Sequence, residues 1–209
     1  MFTTKEEIQS WLDKMQIYDY TIHDDLTVDV DGNVGISNQN LIDIPIQFSI
    51  VTGNFTCSKN KLKSLKGSPY VVHGTFECAY NDLIDLKYAP AEIHGHFMFQ
   101  GNKVQSLKHG PNIVSGEFSC GPNPIKSLEG LDNISTTQFS HWATNPSNFI
   151  PRVEKFYEAC LDAKGKTDGW MLILEKNQLE IIKKQIKLYL ELSVELNNVN
   201  EEPQKKIKL

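Results

Sequence analysis

The sequence predicts an α+β protein built around a β-solenoid of about five 21-residue coils, with helical segments at both ends. Three observations lead to this prediction. A repeat recurs every 21 residues, apolar and polar positions alternate at the start of each repeat, and helical patterns lie outside the repeats. Because one strand and one return loop bury no core alone, the copies have to stack on each other.

The repeat consists of columns of similar residues spaced by 21. Within each repeat the glycine position comes first, and the phenylalanine, cysteine and asparagine positions follow in fixed order. The columns are Gly53, Gly74, Gly95 and Gly116; Phe55, Phe76, Phe97 and Phe118; Cys57, Cys78, Phe99 and Cys120; and Asn60, Asn81, Asn102 and Asn123. A weaker copy with Val30, Gly32, Val34 and Ile36 precedes them, as is usual for a terminal repeat.

Each column has a physical reason. An Asn side chain carries donors and an acceptor, so it can satisfy backbone groups of neighbouring coils. Glycine indicates a bulge or a close approach of two backbones. The cysteine column accepts Phe99, which indicates a core position rather than a metal or redox site, since buried Cys behaves as a small hydrophobe. We expect all four cysteines to be free thiols.

Strand residues that alternate with the buried ones point outward and form one exposed face. The third repeat is unusual because this face carries two histidines and a methionine. We expect partner binding at His73, Thr75, Glu77, His94, His96, Met98 and Glu117. The alternative is an ordinary solvated sheet. Since no zinc-ligand or catalytic motif accompanies these residues, we expect no metal, no cofactor and no catalytic residue.

The sequence predicts helices near both ends of the chain. Thr4 and Glu7 form a capping box before a stripe of Ile8, Trp11 and Leu12, so we expect a helix within residues 1–20 to cap the solenoid at 21–134. We expect a linker at 135–150 and a helical region at 151–209. A helix at about 168–197 would carry two apolar stripes, one packing on the last repeat and the other on a second helix or another chain.

The net charge of −5 and the pI of about 5.7 argue against a broadly basic nucleic-acid surface. The acidic excess is concentrated in residues 1–50, which contain two Lys and nine Asp or Glu. No apolar run reaches the roughly 18 residues that span a bilayer, and residues 1–7 lack the pattern of a secretory signal. We therefore expect a cytoplasmic protein with no membrane contact and no direct contact with nucleic acid.

The repeat F-x-C-x-x-N-x-L-x-x-L-x-x-x-P resembles the leucine-rich-repeat consensus L-x-L-x-x-N-x-L-x-x-L-x-x-L-P. Together with Thr4-Lys-Glu-Glu-Ile and Val28-Asp-Val-Asp-Gly-Asn-Val, it looks like a family of leucine-rich-repeat-like proteins encoded by tailed phages. The resemblance covers residues 3–134. It implies a non-catalytic protein in the host bacterial cytoplasm that binds a host protein, and the most natural role is inhibition of a defence protein by covering its functional surface. The acidic N-terminal third would suit a basic groove of such a target.

Two alternatives remain open. A self-associating structural protein would form a homodimer through the second stripe of the C-terminal helix, which includes Ile181 and Leu188. More remotely, Cys160-Leu-Asp162 resembles the C-x-D motif of bacterial effector ubiquitin ligases, which join leucine-rich repeats to a helical catalytic domain. That resemblance is limited to three residues, and the helical part of this chain is too short for such a domain.

Overall fold

The structure is a computed structural model, and it describes residues 1–126, 129–142, 171–175, 179–181 and 183–184. The predicted β-solenoid of about five turns is confirmed. The elements in chain order are α1 (Lys5–Lys14), β1 (Tyr20–Ile22), β2 (Thr27–Val30), β3 (Val34–Gly35), β4 (Gln47–Val51), β5 (Phe55–Thr56), β6 (Val71–Val72), β7 (Phe76–Glu77), β8 (Glu92–Ile93), β9 (Phe97–Met98), β10 (Ile113–Ser119), a 3₁₀ turn (Leu131–Asn133), β11 (Ser135–Trp142) and β12 (Met171–Glu175). Residues 179–181 and 183–184 are helical.

Each of the first four coils crosses the sheet as two short half-strands. The first half-strands, β2, β4, β6 and β8, pair in parallel, as do the second, β3, β5, β7 and β9. The longer strand β10 pairs with both β8 and β9 and so joins the two rows. Pairs such as Phe55 with Phe76 lie 21 residues apart, so the period of the sequence is the register of the sheet.

Glycines separate the half-strands because the backbones of successive coils approach closely there. The N–H of Gly74 donates to the carbonyl oxygen of Gly53 at 3.0 Å, and the N–H of Gly95 donates to that of Gly74 at 2.9 Å. A Cβ atom on Gly95 would lie 2.7 Å from backbone atoms of Gly74 and Thr75. The expected close approach is therefore confirmed, and it leaves no room for a side chain.

The inward columns form a continuous core. Phe55 and Phe76 stack with ring centroids 5.3 Å apart, and Phe97 contacts the ring of Phe118 at the same distance. Cys57, Cys78, Phe99 and Cys120 are all fully buried, which confirms the core interpretation of the cysteine column. Burial raises the pKa of these three thiols far above the ordinary value, so they stay protonated.

Helix α1 begins with the predicted capping box. The hydroxyl of Thr4 accepts the N–H of Glu7 at 3.2 Å, and the Glu7 carboxylate accepts the N–H of Thr4 at 3.3 Å. The apolar stripe is buried and belongs to the core, and Trp11 contacts the ring of Phe48 at 6.4 Å. The helix thus packs against the coil that contains β4.

The C-terminal part of the chain differs from expectation in two places. Residues Ser135–Trp142, which fall in the predicted linker, form β11 parallel to β10. Residues Met171–Glu175 form β12 antiparallel to β11, so the prediction of helix from 168 onward is wrong there. A short apolar run such as Met171 to Leu174 fits either a helix or a strand, and here it pairs with the edge of β11. Cys160, Leu188 and the remainder of the two helical stripes beyond Ile181 lie outside the described residues.

Candidate protein-binding face

The outward positions of the coils form one surface, called here the outward face. It consists of four columns of side chains, one from the first half-strands, two from the residues between the half-strands and one from the second half-strands. Its columns are Ile50, Val71, Glu92 and Ile113; Thr52, His73, His94 and Ser115; Asn54, Thr75, His96 and Glu117; and Thr56, Glu77, Met98 and Ser119. The predicted site residues all lie on this face.

His73 and His94 stand at its centre. Their rings are stacked, with centroids 5.1 Å apart and planes inclined by 4°. Both residues are exposed, and the Nε2 atom of His94 lies 3.6 Å from a carboxylate oxygen of Glu92. The pair therefore presents a flat, exposed aromatic surface in the middle of the sheet.

Thr75 and His96 have a structural role that the sequence did not reveal. Where the glycines interrupt the strands, the N–H of the residue after each glycine donates a hydrogen bond to a side chain of the preceding coil. The Asn54 side-chain oxygen accepts the N–H of Thr75 at 2.8 Å, the Thr75 hydroxyl accepts that of His96 at 3.3 Å, and Nδ1 of His96 accepts that of Glu117 at 3.0 Å. These side chains are committed to holding adjacent coils in register.

The two predicted glutamates are also engaged. Glu77 accepts the hydroxyl of Ser58 at 3.0 Å, and Glu117 accepts the hydroxyl of Ser140. Each remains partly exposed, as does Met98. Their carboxylates are thus fixed in position by neighbouring coils while still facing outward.

An apolar row on the same face escaped the sequence-based prediction. Ile50 is 38 % exposed and Ile113 is 39 % exposed, and the partly exposed Val71 lies between them in the same column. Tyr70, which immediately precedes β6, is 65 % exposed. Extending the alternation one step before Thr52 would have found this row, because Ile50 has the same outward parity.

The lysines of the repeats lie on a different side of the solenoid from the acidic residues of its strands. Within the described residues no β-strand contains Lys or Arg, and the acidic residues of β2–β10 are Asp29, Glu77, Glu92 and Glu117. The lysines of the repeats lie in the loops that return from one coil to the next, called here the return side. They are Lys59, Lys61, Lys63, Lys66, Lys87, Lys103, Lys108 and Lys126.

Asp29, at the N-terminal end of the apolar row, is fixed by several donors. Burial alone would raise the pKa of its carboxyl group, but hydrogen bonds from His23 at 2.9 Å and from the N–H of Ile50 at 3.0 Å hold the pKa below its ordinary value. The first acidic position of the outward face is therefore ionised and immobile at neutral pH.

Within the described part of the chain, no group of three His, Cys, Asp or Glu residues is placed to hold a metal ion, and no helix is long and apolar enough to cross a membrane. Comparisons of the whole chain with protein-family models, with curated proteins and with solved structures find no match. The properties of the outward face therefore carry the functional argument.

Proposed function

We propose that this chain is a non-catalytic protein-binding module and that its outward face is the binding surface. The observation that carries the proposal is the combination, on one rigid sheet, of the exposed, stacked His73 and His94 and a partly exposed apolar row. Aromatic and apolar side chains at the centre of a polar rim are typical of protein interfaces.

The rigidity of the outward face supports the same proposal of a binding surface. The backbone of this face is held from coil to coil by hydrogen bonds from Asn54, Thr75 and His96, and by the glycine column behind them. A surface that is ordered before binding loses little conformational entropy when the partner arrives. This favours a stoichiometric binder that covers a functional surface of its target.

We further propose a leucine-rich-repeat-like class for the solenoid, with α1 covering its first coil and the C-terminal helical region its last. The resemblance to phage-encoded proteins supports a host protein as the partner, a defence protein as the most natural target, and the host bacterial cytoplasm as the location. Under this proposal binding inhibits the target by covering its functional surface, and the acidic N-terminal third suits a basic groove of that target.

The test is capture of a partner by the tagged full-length chain from bacterial lysate, with and without phage infection, read by mass spectrometry. We expect one stoichiometric host protein to be captured by the wild type and lost from the His73→Ala/His94→Ala variant. A Lys63→Ala/Lys126→Ala variant on the return side, the matched control, should retain it. Recovery of the bait alone, or of phage structural proteins, would overturn the proposal.

A further inference from the structure

Glu92 is the one acidic residue within the apolar row of the outward face. It pairs in register with Val71 of β6 on one side and with Ile113 of β10 on the other. Its side chain is 41 % exposed, and among the described residues its one ion-pair partner is His94, at 3.6 Å. A half-exposed carboxylate thus stands between two half-exposed aliphatic side chains.

Among the described residues, no Lys or Arg compensates this carboxylate from the same face. The strands that the structure describes contain no Lys or Arg, and the repeat lysines lie on the return side. Their ion pairs are made there as well: Lys103 pairs with Asp82 at 2.6 Å and Lys108 with Glu129 at 2.8 Å. The outward face therefore presents a negative potential together with apolar surface.

We propose that Glu92 anchors a Lys or Arg side chain of the protein partner, whose aliphatic stem covers Val71 and Ile113. This inference rests on the proposed function, since it assigns the chemistry of the partner to the same face. Lys and Arg fit because their methylene stems cover apolar surface while the charged group reaches a carboxylate. Glu117, two columns away, and Glu77, three columns away, extend the negative potential toward neighbouring cations of the partner.

The partner is accordingly a protein segment in which basic side chains stand beside apolar ones. Such a segment is attracted to the outward face and repelled by the lysines of the return side, so charge also sets its orientation. Association controlled by exposed charges weakens as salt rises, because screening shortens the range of the interaction.

A labelled synthetic peptide of alternating Lys and Leu serves as the probe, and its binding to the full chain is followed by fluorescence anisotropy. A peptide of alternating Glu and Leu controls for apolar attraction. The variant Glu77→Gln/Glu92→Gln/Glu117→Gln removes three charges without changing side-chain size, and each Gln retains an acceptor oxygen. The matched control Glu6→Gln/Asp43→Asn/Asp85→Asn makes the same change in net charge at exposed positions away from the outward face.

We expect the Lys and Leu peptide to bind the wild type and the matched control, and to bind the triple Gln variant about tenfold more weakly. Binding should weaken at high salt, and the single change Glu92→Gln should account for most of the loss. Equal binding of the Glu and Leu peptide, or an equal loss in the matched control, would overturn the inference. So would a dimer of the chain, seen by light scattering, that the triple Gln variant dissociates, because a second copy would then occupy the face.

Failure of this inference is distinguishable from failure of the proposed function. If a captured host protein is lost from the His73→Ala/His94→Ala variant but bound unchanged by the triple Gln variant, the face binds a partner of different chemistry and only the inference fails. Urea denaturation of every variant checks that its fold is intact.

Discussion

The side-chain amide of Asn81 donates a hydrogen bond of 3.0 Å to the carbonyl oxygen of Cys57, one coil earlier in the solenoid. The same nitrogen donates to Cys78 within its own coil at 3.1 Å, and the side-chain oxygen accepts the N–H of Leu62 at 3.0 Å. Asn102 and Asn123 repeat this pattern in the next two coils. One buried amide per coil therefore satisfies backbone groups of two coils.

Replacement of Asn81 should destabilise the solenoid strongly. Asn81→Leu leaves the N–H of Leu62 buried without a partner, which costs about 1–3 kcal/mol, and removes one of the two amide donors to each of the Cys57 and Cys78 carbonyl oxygens. Urea denaturation should show a loss of about 2–5 kcal/mol. The control Asn112→Leu, at an exposed position, should stay within about 0.5 kcal/mol of wild type. Equal stability of the two variants would mean that the asparagine column does not hold the coils.

Gly95→Ala tests the close approach of the coils. The added methyl group would lie 2.7 Å from the Gly74 backbone, so the strands have to separate, at a cost of about 1–3 kcal/mol. Gly35→Ala is the matched control, because the nearest atom to its Cβ is the Thr56 hydroxyl at 3.9 Å. Thermal or urea unfolding measures both variants, and a neutral Gly95→Ala would contradict the packing of the glycine column.

The buried cysteines should resist alkylation in the folded protein. Burial raises the pKa of Cys57, Cys78 and Cys120, so thiolate is scarce and reagent access is blocked. In a Cys160→Ser background, iodoacetamide should label these three positions only after denaturation. Mass spectrometry of native and unfolded samples reads the result, and rapid native labelling at Cys78 would place that column outside the core.

Asp29 should contribute to the pH dependence of stability. Its folded-state pKa is lowered below 3.8, the ordinary value. The carboxylate therefore stabilises the fold above the unfolded pKa, and this contribution is lost as the pH falls through the folded pKa. Asp29→Asn should lower the free energy of unfolding at pH 7, and the difference from wild type should shrink below pH 3.8. If the difference in free energy of unfolding between the two proteins does not change with pH, the ionised carboxylate of Asp29 does not stabilise the fold.

Much of the fold could be predicted because the repeat is a direct record of sheet register. The spacing from Phe55 to Phe76 is the pairing of β5 with β7, and the substitution of Phe99 in the cysteine column identifies a core position. The capping box at Thr4 is a local signal that needs no tertiary contact. The β-strand at 171–175 could not be predicted, since its pairing partner β11 gives no sign of an open edge in the sequence.

The candidate site was predicted only in part, because alternation gives the direction of a side chain but not its hydrogen bonds. His96 points outward as expected, yet its Nδ1 accepts a hydrogen bond from the N–H of Glu117. That N–H requires a side-chain acceptor because the strands are interrupted at the glycines. Glu92 was missed because the predicted outward columns began at Thr52, although the 21-residue period already places Glu92 between Val71 and Ile113.

The most direct test of the central claim is hydroxyl-radical footprinting of the chain alone and in complex with a captured partner. The exposed His73 and His94 and the partly exposed Met98, all on the outward face, should lose reactivity in the complex. Tyr80 and Tyr88, each 51 % exposed on the return side, provide an internal control and should react as before. Protection of Tyr80 and Tyr88 with His73, His94 and Met98 unchanged would contradict the claim and place the partner on the return side.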